Sequence, residues 1–355
     1  MPLFIIQGGC AVAVANHVIS HPRINQAQAD IEAALRNSVA RLDPIVANMV
    51  AYHFGWADES GTLTDAGNGR RRVGVLTLLC ATVGGAKWDR AIPAAVACEL
   101  ASNAATIQDD IIDDDDARRG RKSAWAVFGT SRTLLACMAM TGLATEVLTE
   151  RSDIDPERVS AATHRLSRAI IGLNLGQLYD IEFERTQQVS LADYLQMVEG
   201  KAGAFGSCAC MLGAMFTGVP DTEGLATLGS RLGLVWQLRN DLLGIWGDSD
   251  QTGKPALSDL RTRKKTFPVI AALESNRSDR DELAELLRYR DTDLSPEDAF
   301  QAAKLIERCG GRERTEQELR RRLDIALATL EEVVPDHETR ADLRFLAEFF
   351  AFSTR

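Results

Sequence analysis

The chain has 355 residues, 45% hydrophobic and 25% charged, with a formal net charge of −10. That composition excludes a disordered or fibrous chain, and the acidic balance excludes nonspecific nucleic-acid binding, which needs a basic surface. A local basic cluster can still take an anionic substrate, and the low aromatic content (6%) favours helix over sheet.

The chain opens on MPLFIIQGGCAVAVA, apolar but with no Lys or Arg before Arg23. It lacks the basic start of a secretory signal and is too short and too broken by glycine to span a membrane. Residues 1–25 are read as an N-terminal extension, disordered or folded as one extra helix. Residues 26–355 are read as one helical domain. His17 and His21, four apart, could grip a metal on a helix, but a surface role is the plainer reading.

Apolar residues then recur at helical spacing almost throughout. The pattern predicts helices over 26–52, 70–84, 90–116, 131–150, 157–187, 190–218, 222–247, 262–275, 279–289, 296–308, 312–333 and 338–352. No stretch alternates as a strand should. Pro44, Pro93, Pro156, Pro220, Pro255 and Pro296 fall at or near helix boundaries, and 54–68 is the clearest loop. With no internal repeat or low-complexity linker, the fold class expected is all-α, a single large helical bundle. Seven cysteines, odd in number and mostly in apolar runs, read as buried thiols in a reducing cytoplasm. The Cys208-Ala209-Cys210 step finds no second cluster to complete a zinc site.

Residues 109–121 read DDIIDDDDARRGR. On a helix Asp109 and Asp113 share a face, with Asp110 beside them. Such close like charges repel unless a cation sits among them, and hard oxygen donors suit Mg²⁺. A solvated acidic helix end is the bland alternative. Against it, the preceding run AIPAAVACELASNAATI is apolar, and Arg118 and Arg119 follow at once. Arginine forks match phosphate oxygens, so the combination points to a diphosphate site.

DDxxD, four residues, then RRG, followed by AWAVFG, resembles the trans-isoprenyl diphosphate synthases (polyprenyl synthetases). The second half resembles that family too: QLRNDLLGIWGD at 237–248 and GKPALSDLRTRKKTFP at 253–268 match QxxDDxxD and GKxxxxDxxxxKxT at Gln237, Asp241, Lys254, Asp259, Lys264 and Thr266. Lys201, in Gly200-Lys201-Ala202-Gly203, resembles the family's Lys-Thr step with Ala202 for Thr. The resemblance implies the isoprenoid synthase bundle, a homodimer and a Mg²⁺-dependent prenyltransferase. In such an enzyme Asp109, Asp110, Asp113 and Asp241, with three Mg²⁺ ions, ionise an allylic prenyl diphosphate. Lys201, Lys254 and Lys264 hold the departing diphosphate, with Gln237 and Arg118 beside it. Arg72 and Arg119 grip the acceptor, by default isopentenyl diphosphate.

The chain also departs from the family. In its GGKxxRP-like segment the usual Lys is Gly69 and the usual Pro is Val73; Arg72 is kept, and Arg70 or Arg71 stands ready to compensate. The acceptor-binding His falls at Ser102. Two lost charged contacts would cost about 3–6 kcal/mol if unreplaced, roughly two to four orders of magnitude in affinity. Asn240 replaces the first Asp of the second motif and Gly244 the last. Asn240, Gly244 and Asp248 have the spacing of the Asn-Ser-Glu metal triad of class I terpene cyclases. Three readings therefore stand: a prenyltransferase, with a non-standard acceptor kept open, a terpene cyclase, and a non-catalytic partner subunit. Ala105 and Ala104, four and five residues before Asp109, lie a turn deeper and leave room for products of geranylgeranyl length or longer.

Overall fold

The computed structural model describes residues 21–64, 69–150, 153–186, 188–248, 256–288 and 292–352. Helices account for nearly all of the regular structure. They are α1 (Pro22–Val39), α2 (Pro44–Phe54), α3 (Arg72–Ala81), α4 (Ile92–Ile112), α5 (Ala124–Phe128), α6 (Thr130–Thr149), α7 (Pro156–Arg185), α8 (Leu191–Val198), α9 (Ala204–Thr217), α10 (Thr222–Trp246), α11 (Ser258–Arg261), α12 (Phe267–Leu273), α13 (Arg280–Leu286), α14 (Pro296–Arg308), α15 (Gly311–Val333) and α16 (His337–Phe352). Two two-residue strands, β1 (Ala117–Arg118) and β2 (Arg121–Lys122), pair antiparallel.

Local chemistry explains the departures from the expected bounds. The expected helix 26–52 is two, because Pro44 pushes Asp43 out of the helical region. The Asp43 side chain then caps α2 through the Ile45 N–H. Pro22, at the first position of α1, starts that helix inside the stretch assigned to the extension. The run 190–218 carries a π-turn at Glu199–Gly203, which includes Lys201. The helix expected from 262 starts only at Phe267, because Thr266 is extended ahead of Pro268. The RRGR hairpin and α5 went unforeseen; each is too short for periodicity to register.

α4 lies in the middle of the bundle. Ala94, Ala95, Ala97, Ala101 and Ala104 are all buried, and their small size lets neighbouring helices close in. α9 and α10 touch backbone to backbone: a Cβ on Gly206 would sit 2.2 Å from the Gly229 carbonyl oxygen. The close approach fixes α9 and α10 against each other. A second, smaller core gathers α11 to α14 around Leu260, Leu283, Leu305 and Ile306, and reaches α10 at Ile245.

The six described cysteines are buried free thiols, while Cys10 and His17 lie outside the described residues. His21 Nε2 lies 3.2 Å from Asp342, where it helps dock α16. No helix among the described residues is long and apolar enough to cross a membrane.

Candidate active site

A cavity of about 370 Å³ opens between α3, α4, α7, α9, α10 and α16. Its walls are mostly apolar, with Leu76, Ala105, Phe205, Leu232, Trp236 and Phe350. Asp109, Lys201, Gln237 and Asn240 bring polar groups to the same cavity. The α4 stretch from Asp109 to Ser102, both lining residues, runs about 10 Å along the helix. Ala105 lines this cavity; Ala104 does not, and is buried in the core of the bundle.

The carboxylates of the first motif divide between two tasks. Asp109 faces the cavity, with Lys201 Nζ 3.4 Å away and shared with Asp180 at 2.8 Å. Asp113, at the C-cap of α4, is ion-paired with Lys264. Burial and then the charge of Asp109 push the Asp113 carboxyl up to about 7, against Lys264. Burial disfavours the Lys201 and Lys264 ammonium groups, but the surrounding carboxylates more than offset it and hold both above the usual lysine range. Asp110, read from sequence as a metal ligand, and Arg118, read as a substrate contact, are bound to each other. Neighbouring helix positions point about 100° apart, so Asp110 enters the core, 1% exposed, and binds Arg118, whose Nε donates to it at 2.8 Å.

Among the described residues, no three His, Cys, Asp or Glu side chains could hold a metal by themselves. Two facing carboxylates that repel one another do suit Mg²⁺, which binds through one or two carboxylates and completes its shell with water and phosphate oxygens.

The second motif is also redistributed. Asn240 lines the cavity, and its Oδ1 accepts from Trp236 Nε1 at 3.1 Å. Asp241, read from sequence as a metal ligand, is 2% exposed and faces away. It accepts from Gln237 Nε2 at 2.9 Å, from the Phe267 N–H at 2.8 Å and from the Tyr194 hydroxyl. Burial pushes its carboxyl up to about 7, against the Tyr194 and Phe267 donors. By gripping the start of α12 it anchors the segment that carries Lys264. A Cβ at Gly244 would lie 2.0 Å from Asp259 Oδ2, so the Asp259 carboxylate fills the space of the missing side chain. Asp248 is exposed and lines a separate cavity with Arg239 and Trp246, so the cyclase-like triad does not assemble around the main cavity. Lys254 lies outside the described residues.

Arg72, which precedes the cavity-lining Val73, begins α3. A Cβ at Gly69 would lie 3.1 Å from Nη1 of both Arg119 and Arg71, so these arginines occupy the space of the usual lysine. Arg71 is committed elsewhere: it is buried, bonded to Glu32, and packed over Phe54. Arg70 packs over Phe349 at 4.6 Å. Burial, then Arg70 and Arg119, lower the Arg72 guanidinium to about 9. Arg119 keeps solvent access, yet the protein around it and Arg71 hold it at about 10. Among the described residues no carboxylate pairs directly with either. Behind them a buried chain of hydrogen bonds runs from His53 Nε2 to Asn103 (3.0 Å), from Asn103 to Glu99 (3.1 Å), and from the Gly74 N–H to Glu99 (2.8 Å). It caps the start of α3. Burial and Arg119 depress His53 well below the usual histidine range.

Sequence reasoning missed Asp180, Tyr194 and Phe349. Asp180 and Glu184 on α7 are four apart, the same signal that marked Asp109 and Asp113; Tyr194 and Phe349 offered none.

The polyprenyl synthetase family profile matches residues 59–305. The chain is 38% identical over 333 residues to a (2E,6E)-farnesyl diphosphate synthase of Mycobacterium tuberculosis, covering 92% of each. It is 33% identical over 314 residues to a geranylgeranyl diphosphate synthase of the same organism, covering 88% of this chain and 89% of the other. Among solved structures, it superposes on the polyprenyl synthetase of Streptomyces coelicolor A3(2) with a TM-score of 0.85 and 37% identity, over 93% of this chain and 99% of that one.

Proposed function

The chain belongs to the polyprenyl synthetase family, and from that premise we propose that it joins an allylic prenyl diphosphate to isopentenyl diphosphate, adding one isoprene unit and releasing pyrophosphate. It is a prenyltransferase with the all-α isoprenoid synthase fold. One observation carries the substrate reading: carboxylates and lysines, Asp109 and Asp113 with Lys201 and Lys264, cluster at one side of an apolar cavity. That arrangement suits a charged diphosphate head and a hydrocarbon tail. The matched relatives are diphosphate synthases, and a cyclase finds no support among them.

Asp109 and Asp113 would hold Mg²⁺ on one face and Asn240 on the other, three ions in all once the diphosphate is bound. Bound Mg²⁺ supplies Lewis-acid neutralisation of the charge that grows on the leaving group. Lys201 and Lys264 add fixed positive charge beside it. The C–O bond breaks with its electron pair going to the diphosphate. The apolar walls around Leu76, Phe205 and Leu232 keep water from the allylic cation. Arg72 and Arg119 hold the acceptor's diphosphate so that its double bond attacks that cation, and the adduct loses a proton. Arg119, itself one of the acceptor contacts that the resemblance implies, stands in the space beside Gly69, and with Arg72 it favours isopentenyl diphosphate over an unrelated acceptor.

Ala105 on the cavity wall favours products of geranylgeranyl length or longer. Purified protein with Mg²⁺, farnesyl diphosphate and isopentenyl diphosphate should yield geranylgeranyl diphosphate by mass spectrometry. Ala105→Phe, which fills the cavity one turn below Asp109, should stop at farnesyl diphosphate when started from geranyl diphosphate. No product in the first arm would refute the elongation reading; an unchanged product in the second would refute the role of Ala105.

We also infer a homodimer through α6 and α7, where Leu135, Met138, Leu175, Leu178 and Tyr179 are exposed together. Sedimentation should give twice the 38.7 kDa of the chain, and Met138→Arg should halve it. Six buried free thiols suit a reducing cytoplasm.

A further inference from the structure

We propose that Trp236 and Phe349 form an aromatic clamp that sets Arg72 for the acceptor diphosphate, and that the Trp236 indole N–H ties this clamp to Asn240 on the metal-facing side. The inference rests on the reading of Arg72 as an acceptor contact. The Arg72 guanidinium lies 5.3 Å from the Trp236 ring centre and 5.4 Å from that of Phe349, one ring from α10 and the other from α16. Phe349 also carries Arg70 at 4.6 Å, and Trp236 packs on Phe350 with ring centres 5.1 Å apart.

The physical advantage lies in what the rings do not do. A carboxylate partner would fix Arg72 but would occupy its N–H donors and have to be displaced by an incoming diphosphate. Aromatic faces attract the cation through their quadrupole and leave those donors free for phosphate oxygens. The clamp therefore pre-orders a long side chain whose immobilisation would otherwise be charged to binding.

Trp236 reaches further than a phenylalanine could. Its ring forms part of the wall of the prenyl cavity, and its Nε1 donates to Asn240 Oδ1 at 3.1 Å. That bond orients the amide, so the oxygen that can face a metal is set by the residue that holds Arg72. Trp236 and Phe349 are thus positioning residues for the two diphosphates of the reaction.

The test is steady-state kinetics on Arg72→Gln, Phe349→Leu, Phe349→Tyr and Trp236→Phe, with calorimetry of inorganic pyrophosphate binding at varied Mg²⁺ and a denaturation midpoint for each variant. Arg72→Gln should raise KM for isopentenyl diphosphate by at least about tenfold; an unchanged KM would remove the acceptor reading and the clamp with it. Phe349→Leu should raise the same KM about tenfold, with kcat and the allylic KM within about twofold. Phe349→Tyr, which keeps the ring, should restore it. If Arg72→Gln acts but Phe349→Leu leaves KM unchanged, or lowers kcat and midpoint together without rescue by Phe349→Tyr, the clamp is overturned while the acceptor reading stands. Trp236→Phe should raise the Mg²⁺ needed for half-saturation by pyrophosphate about tenfold, and an unaltered requirement would break the proposed tie to Asn240.

Discussion

Asp109→Asn should lower kcat by at least about a thousandfold, the larger of the two effects expected here. The substitution keeps the shape of the side chain and removes its charge. Asp109 is the first-motif carboxylate that lines the cavity, with Lys201 3.4 Å away. A metal held there stabilises the leaving group by several kcal/mol, and about 4 kcal/mol of barrier is roughly a thousandfold in rate. Asp114→Asn is the control: Asp114 is exposed and lies beyond the end of α4 at a φ of 53°, so its charge should be dispensable. Single-turnover release of pyrophosphate from an allylic diphosphate isolates the ionisation step. Full activity in Asp109→Asn would refute the placing of the catalytic metal at Asp109.

Lys264→Met should reduce kcat/KM for the allylic diphosphate by about a hundredfold to a thousandfold. It removes the cation that the proposed function places beside the leaving group and leaves Asp113 without its ion-pair partner, a loss of about 3–5 kcal/mol for a buried pair. The pH profile separates this role from simple loss of folding. Asp113 already stands at about 7 through burial and the charge of Asp109, and Lys264 holds it from rising further. A metal binds the deprotonated carboxylate, so Mg²⁺ affinity in the wild-type protein should weaken as pH falls through about 7. Without Lys264 the carboxyl titrates at still higher pH, and the acid limb of kcat/KM should move to higher pH. A variant that is only partly folded would lose activity in the same proportion at every pH. An unshifted acid limb would show that Lys264 does not govern Asp113.

By itself, the sequence determined the class of fold, because apolar residues at a 3.6-residue period can be buried only as helices. It also marked the first half of the candidate site. Asp109 and Asp113 lie one turn apart on a single helix, so their shared face follows from local geometry alone. It marked the lysines and arginines as a set, and Gly69, Ser102, Asn240 and Gly244 as departures.

Tertiary structure decided which of these groups meet. Periodicity fixes which residues of one helix share a face, but not which face looks into a cavity. That depends on partners far away in the chain. Asp110 and Asp241 look like ligands in sequence, yet each is turned into the core, one onto Arg118 and the other onto Tyr194, Gln237 and the Phe267 N–H. Asp180 joins the site from α7 because Lys201 reaches it across the π-turn. Arg119 fills the space that Gly69 leaves open, and Asp259 fills the one that Gly244 leaves; each follows from a side chain's absence, which becomes informative only when a distant residue is seen beside it. The clamp on Arg72 joins α3, α10 and α16 across more than a hundred residues of chain on either side of Trp236. No local spacing encodes such a meeting, because it is set by how the helices pack.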